Sequence, residues 1–408
     1  MTLVQKPYAI KQFHNNNVAD PGDYASDPGA FITPDAFEAA RREISAWPGY
    51  QPTPLLELGG LASALGIGSL HLKYEAPRFG LGSFKALGGA YAVGLYLRSR
   101  INEATGNDVD TQSLLSGAHA DITNAITVCS ATDGNHGRSV AWGAQMFGCR
   151  CVIYVPHHTS QGRIDAIAAF GAEVIRHHAN YDDTVRHCAA VAAENNWTVI
   201  SDTSYDGYTQ IPLNVMSGYT VLATEIIEQL PPAKRPTHVF VQGGVGGFAS
   251  GVIAPLWHHW GESRPKFVFI NPDNAAAMLR SAEAGTRVAI EGDLETVMAC
   301  LSCGEISLLA WKLLARTIDD TIAIPDEAAT DTMRTLASGV HGDAPVVAGE
   351  SGCAGVAGLI AAINDAAAKN IVGLDADSRV LCICTEGATD PALYAEIVGQ
   401  TPEQVMAP

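Results

Sequence analysis

Long apolar runs are missing from this 408-residue sequence; none reaches the roughly 18 to 20 uninterrupted apolar residues that a membrane-spanning helix requires. Positive charge is scarce as well. Lys and Arg number 25 against 43 Asp and Glu, a formal charge of −18, and no basic stripe with interleaved aromatics interrupts that balance. Such a field repels phosphate backbones and anionic lipid surfaces, so nucleic acid and membranes are not expected as partners. The opening MTLVQKPYAIKQFHNNN lacks the continuous apolar core and the cleavage site of a secretory leader, which points to the cytoplasm. Cys300 and Cys303 form a CxxC with no second pair. The neighbouring histidines His157/His158, His177/His178 and His258/His259 lack ligating spacing and acidic companions, so no metal site is expected. The 9 cysteines are odd in number, and Cys149, Cys151, Cys382 and Cys384 sit in apolar strand-like runs, which reads as reduced core thiols rather than a disulfide framework.

Hydrophobic residues, by contrast, make up 47% of the chain, enough for a large core, and the length favours two domains over one. Short β-rich runs alternate with helix-length segments: Ile126 to Cys129, Cys151 to Val155, Thr198 to Ser201, His238 to Gln242, Phe267 to Asn271 and Val380 to Cys384. That alternation predicts α/β layers around parallel sheets whose strands are covered on both faces. One crossover is explicit: CVIYVP as strand, TSQGRIDAIAAF as helix, Gly171 as its stop and AEVIRH as the next strand. The stretch from Asn102 to Asp121 lacks periodicity and reads as a surface insertion loop, and the first 30 or so residues read as irregular.

Three constellations carry chemistry. In Ser83-Phe84-Lys85, followed by the small apolar run Ala86 to Tyr91, a lone lysine enters a desolvating helix. Desolvation favours the neutral amine that a Schiff-base lysine needs, though a lysine that merely snorkels fits the same pattern. Ala131-Thr132-Asp133-Gly134-Asn135-His136-Gly137 sits between a strand and a helical run, where backbone N–H groups suit a carboxylate and Asn135 can donate to a phenolate oxygen. Gly243-Gly244-Val245-Gly246-Gly247 follows another strand and opens another helix, as a phosphate cradle does. Gly244-x-Gly246-x-x-Ala249 also fits a dinucleotide fingerprint, so an NAD-dependent oxidoreductase competes on this loop alone. That alternative leaves Lys85 and the 133–137 turn without a role, whereas pyridoxal 5'-phosphate (PLP) employs all three.

Together these motifs resemble the fold-type II PLP enzymes, the relatives of serine and threonine dehydratases. Within them, Arg78-Phe79-Gly80-Leu81, Ala131 to Arg138, Asn180 to Arg186 and Gly349-Glu350-Ser351-Gly352 resemble the 2,3-diaminopropionate ammonia-lyases. The resemblance runs from about Tyr74 to Asp390 and departs at the insertion after Asn102 and at Gly247-Phe248. It implies a tryptophan synthase β-like fold of two parallel or mixed α/β domains with the active site between them. A large domain would comprise residues 1–86 and 205–408, with a smaller one, 87–204, inserted. By the same resemblance Lys85 carries the cofactor, Asn135 contacts its ring oxygen, Gly243, Gly244, Val245, Gly246 and Gly247 hold its phosphate, and Cys384 or Thr385 faces its pyridine nitrogen. Ser83, Thr132, Gly134 and His136 would receive the substrate carboxylate. A homodimer acting on a small amino acid is the implied assembly.

Hydroxy-amino-acid dehydratases generally carry Ser or Thr where this chain has Asp133. A carboxylate about 4 Å from the substrate's own would repel it by about 4 kcal/mol at an effective dielectric near 20, unless the substrate supplies a cation. A β-ammonium does. Asp202 matches a second acidic position of the ammonia-lyase pattern, although a helix cap or turn residue fits it equally. Two carboxylates around one amine should raise at least one of their pKa values and let it act as general base or acid. The expected reaction is α,β-elimination of D- or L-2,3-diaminopropionate through aminoacrylate to pyruvate and ammonia, with serine, threonine or 3-hydroxyaspartate dehydration as the alternative.

Overall fold

A computed structural model describes residues 3–19, 22–132, 134–157, 159–179 and 181–407. Asp133, singled out above, lies outside the described residues, as do His158 and Asn180. The strands in chain order are β1 (Lys11–His14), β2 (Leu55–Glu57), β3 (Ser69–Tyr74), β4 (Thr127–Ala131), β5 (Arg150–Val155), β6 (Glu173–Arg176), β7 (Thr198–Val199), β8 (His238–Gln242), β9 (Lys266–Pro272), β10 (Ile318–Ile324) and β11 (Arg379–Cys384). The chain divides into two compact units, one comprising Met1–Pro34, Pro52–Ser83 and Leu222–Pro408, the other Asp35–Gln51 and Phe84–Val221.

The first unit is built on a seven-stranded sheet in the order β1-β10-β9-β8-β11-β3-β2. Its five inner strands are parallel, while β1 and β2 close the two edges antiparallel. The inner strands are buried almost throughout, β8 at every residue, which is why β8, β9 and β11 read as nearly unbroken apolar runs. β1 corrects the expectation that the first 30 residues are irregular: Lys11 to His14 pair with Ala323 to Asp320 at the rim of the sheet. Its half-exposed pattern carries no apolar run to betray it.

The same unit encloses a sealed set of charges. Lys73, Glu75, Arg78 and Glu225 are all buried, with Lys73 Nζ 2.7 Å from Glu225 Oε2, Arg78 Nη1 2.7 Å from Glu225 Oε1 and Arg78 Nη2 2.8 Å from Glu75 Oε1. The two cations and two anions balance, which is the condition for burying charge at all. The network anchors the end of β3. From there the chain turns through Phe79 (φ +51°), Gly80 (φ +71°) and Gly82 (φ +77°) to Ser83, which bridges to Glu386 beyond the end of β11.

The second unit holds a four-stranded, all-parallel sheet in the order β6-β5-β4-β7. The expected β5–helix–β6 crossover is present, with its helix at Gln161–Ala168 and Gly171 at φ +77°. Residues 35–51 join this unit because Trp47 packs edge-on against Trp142 and Phe147, each at 5.8 Å, and Glu43 pairs with Arg98 at 2.8 Å. The expected loop after Asn102 is partly helical. The helix Ala86–Thr105 runs through its start, and Thr111–Leu115 and Ala120–Thr123 add short turns, the first capped by Asp110, which accepts from Ser113 N. Asp110, one of the polar residues that suggested a loop, is a helix cap.

Candidate active site

Lys85 opens the helix Ala86–Thr105 in the second unit. Small residues on this helix let others approach to backbone distance: a Cβ on Gly143 would lie 2.6 Å from Ala90 Cα, and one on Gly88 2.3 Å from a ring carbon of Tyr219. That close packing walls in the lysine, whose side chain keeps 17% of its exposure. Its Nζ lies 5.5 Å from the Phe84 ring centroid and 5.8 Å from that of Tyr219, and it forms an ion pair with Asp202 Oδ2. Burial alone would push the Asp202 carboxyl up. The Lys85 ammonium outweighs it and holds the group well below the usual carboxylate range. The upward shift expected of a crowded, desolvated aspartate is therefore not found at Asp202, because its companion here is a cation.

The strand-to-helix turn is ordered by Thr132, whose buried hydroxyl accepts from Gly134 N at 3.1 Å and Gly137 N at 3.2 Å and so caps the helix Asn135–Phe147. Its remaining capacity is one O–H proton. Asn135, half-buried, begins that helix. His136 is buried, and its Nε2 lies 2.8 Å from the Ile200 carbonyl. A carbonyl only accepts, so Nε2 carries the proton. Burial lowers the imidazole pKa, leaving a neutral ring with a bare Nδ1. That Nδ1 has no hydrogen-bond partner among the described residues and stands 4.0 Å from Asp202 Oδ2. The second unit thus brings Lys85, Asp202 and His136 together, with Tyr219 beside them. Sequence reasoning missed Tyr219, which sits inside an ordinary apolar helix; only its placement opposite Gly88 singles it out.

In the first unit the glycine loop joins β8 to the helix Gly247–Trp260. Gly243 is pinned rather than open: its N–H donates to Ile270 O, and Asn271 Nδ2 donates to its carbonyl at 3.0 Å. A Cβ at Gly243 would stand 2.4 Å from Phe269 Cζ, and one at Gly244 2.6 Å from Cys303 Sγ. Gly246 takes φ +87° at the N-cap, where no side chain caps the helix. The first N–H groups of a 14-residue helix are therefore left to something other than its own cap. This is a cradle that side chains would fill and that an anion fits.

At the end of β11, the Cys384 thiol is spent on the Glu386 carbonyl at 3.2 Å, and burial pushes it up. Thr385 differs: its Oγ1 accepts from Gln242 Nε2 at 3.2 Å, leaving its own proton to donate. The carbonyls of Ser351, Gly352 and Ile383 lie within 3.0–3.2 Å of the same Nε2 and share its two protons with Thr385, tying the base of the glycine loop to the strand end. Sequence reasoning missed this glutamine as well, reading it as the last residue of a strand. Ser83 is buried beside this strand end, bridged to Glu386. Cys300 faces Glu386 Oε2 at 3.6 Å, so the CxxC belongs to the packing around the loop.

Residues 46–386 match the family of pyridoxal-phosphate dependent enzymes. The chain is 38% identical over 387 residues to the diaminopropionate ammonia-lyase of Escherichia coli K12, covering 94% of this chain and 96% of that protein. The fold superposes on the crystal structure of the Escherichia coli enzyme in complex with D-serine with a TM-score of 0.87 at 35% identity, covering 96% of this chain and 97% of that one. It superposes with a TM-score of 0.85 on the same enzyme in complex with an aminoacrylate-PLP azomethine reaction intermediate, at 35% identity and the same coverage.

Proposed function

This chain belongs to the family of pyridoxal-phosphate dependent enzymes, and on that premise we propose that it eliminates one ammonia from 2,3-diaminopropionate, and that hydrolysis of the released aminoacrylate by one water yields pyruvate and a second ammonia. The observation that carries the reading is the half-buried Asp202 carboxylate, kept ionised beside Lys85 in a chain 38% identical to a diaminopropionate ammonia-lyase. A serine or threonine dehydratase has no use for such an anion, because its substrate offers a neutral hydroxyl.

The residues that would hold PLP are Lys85, which bonds the carbonyl carbon; Gly243 to Gly247, whose N–H groups beyond the pinned Gly243 meet the phosphate; Asn135, at the ring oxygen; and Thr385, at the pyridine nitrogen. Thr385 is preferred to Cys384 because its proton is free to donate while the thiol is engaged. Bound PLP supplies the electron sink that makes loss of the Cα proton affordable. The protein supplies the rest. Thr132, Gly134 and the backbone N–H of His136, with Ser83, orient the substrate carboxylate. Lys85 Nζ takes the Cα proton from one enantiomer, and Asp133, outside the described residues, takes it from the other. Asp202 need not donate a proton. By staying anionic it keeps the substrate's β-nitrogen protonated, so that it departs as neutral ammonia rather than as an amide ion. A homodimer acting in the cytoplasm completes the reading.

The test is pyruvate release by the PLP-loaded protein with D- and L-2,3-diaminopropionate beside L-serine and L-threonine. Preference for diaminopropionate supports the proposal; preference for a hydroxy amino acid overturns it.

A further inference from the structure

The bare Nδ1 of His136 is a feature of this site that neither the cofactor nor the carboxylate assignment employs. Imidazole nitrogen and carboxylate oxygen face each other at 4.0 Å, both as acceptors, with the imidazole sealed from solvent. Two acceptors in that relation lack what lies between them, which is a group with at least two N–H or O–H donors. One ammonium nitrogen can stand about 2.9 Å from both. A hydroxyl has a single proton and can satisfy only one, leaving the other buried and unpaired. In this structure the Lys85 ammonium meets Asp202 from one side and shows that the carboxylate accepts a primary ammonium there.

We propose that His136 Nδ1 and Asp202 together receive the β-ammonium of the substrate, so that the imidazole is a specificity-determining residue selecting a multi-donor cationic leaving group over a hydroxyl. The tautomer this requires is imposed by the Ile200 carbonyl, which claims the Nε2 proton and keeps Nδ1 an acceptor. The Ile200 contact is thus a positioning device. It lies where β7 ends and the chain turns towards Asp202, so one short segment places the carboxylate and fixes the imidazole that works with it. The inference rests on the diaminopropionate reading and deepens it: Asp202 supplies the charge, His136 the second acceptor that counts donors.

The experiment compares kcat/KM for D-2,3-diaminopropionate and D-serine in the PLP-loaded wild type, His136→Phe and His136→Gln. His136→Phe should lower the diaminopropionate-to-serine ratio about tenfold or more, the consequence of leaving one ammonium donor without its acceptor. His136→Gln, which returns a side-chain acceptor, should recover part of it. A merely structural role lowers both substrates together and leaves the ratio unchanged, which would overturn the inference. A second readout does not depend on turnover or on the stability of a His136 variant. In PLP-loaded Lys85→Ala protein labelled with ¹⁵N-histidine, the His136 Nδ1 resonance should move on adding D-2,3-diaminopropionate and stay with D-serine. A resonance indifferent to both, or moved equally by both, sinks the proposal. A wild type without preference for diaminopropionate refutes the functional reading itself, and is thereby distinguished from a wild type that has the preference but loses none of it in His136→Phe.

Discussion

Gly243→Ala tests whether the glycine loop is shaped by the protein's own wall. The added methyl would stand 2.4 Å from Phe269 Cζ and 3.0 Å from Cε2, and Phe269 is fully buried in β9. The ring cannot swing away, so either the sheet or the loop gives. Overpacking of this kind costs about 1–3 kcal/mol. If the loop yields, the N–H groups that follow are displaced, and about 1.4–2.8 kcal/mol of lost binding corresponds to a PLP affinity weaker by about 10- to 100-fold. Urea unfolding gives the stability term, and titration of the cofactor-free protein with PLP, followed by absorbance, gives the affinity. Phe269→Leu in the same chain should restore much of both, as a double-mutant cycle would register. Gly244→Ala should be milder, since its methyl meets the end of the Cys303 side chain at 2.6 Å rather than a ring. Wild-type stability and PLP affinity in Gly243→Ala would refute the argument.

Lys85→Ala should abolish pyruvate release while the far-ultraviolet circular dichroism stays native; ammonia release at the wild-type rate would remove the lysine from the mechanism. Arg78→Met leaves Glu75 and Glu225 facing Lys73 alone and should cost about 3–5 kcal/mol in urea unfolding at neutral pH; a loss below about 1 kcal/mol would show that the set relaxes. Burial would raise the Glu225 carboxyl, but Arg78 and Lys73 overcome it and hold it at about 2. A folded-state pKa below the unfolded one gives stability that is complete above the ordinary glutamate value near 4.3 and is lost as pH falls toward about 2. Glu225→Gln should therefore flatten the acid loss of stability across that window, and parallel profiles for the two proteins would exclude this origin.

Of the inner strands, β4, β5, β8, β9 and β11 were legible because burial on two faces writes itself as continuous apolar sequence; β8 was read to the residue and β11 to within one. β1, β2, β3 and β10 were not, because edge strands, a strand carrying His71 and Lys73 and a strand carrying Asp319 and Asp320 lack that signature. Of the site, Lys85, the 131–137 turn and the glycine loop announced themselves by unusual local composition. Tyr219, Gln242 and the partnership of His136 with Asp202 did not. Each consists of an ordinary residue made special by something distant in sequence: Gly88 against Tyr219, the end of β11 against Gln242, the Ile200 carbonyl against the imidazole. Local pattern shows which residues can do chemistry; which proton sits on which nitrogen is settled only by tertiary contacts.

The sealed set of Lys73, Glu75, Arg78 and Glu225 also bears on how this chain can change over generations. An apolar replacement of comparable volume can be as stable as a buried ion network. No sequence of single neutral steps leads there, because each intermediate strands a charge away from water. The four positions can therefore be exchanged only together, a ratchet that holds the segment leading to Ser83 and Lys85 in place.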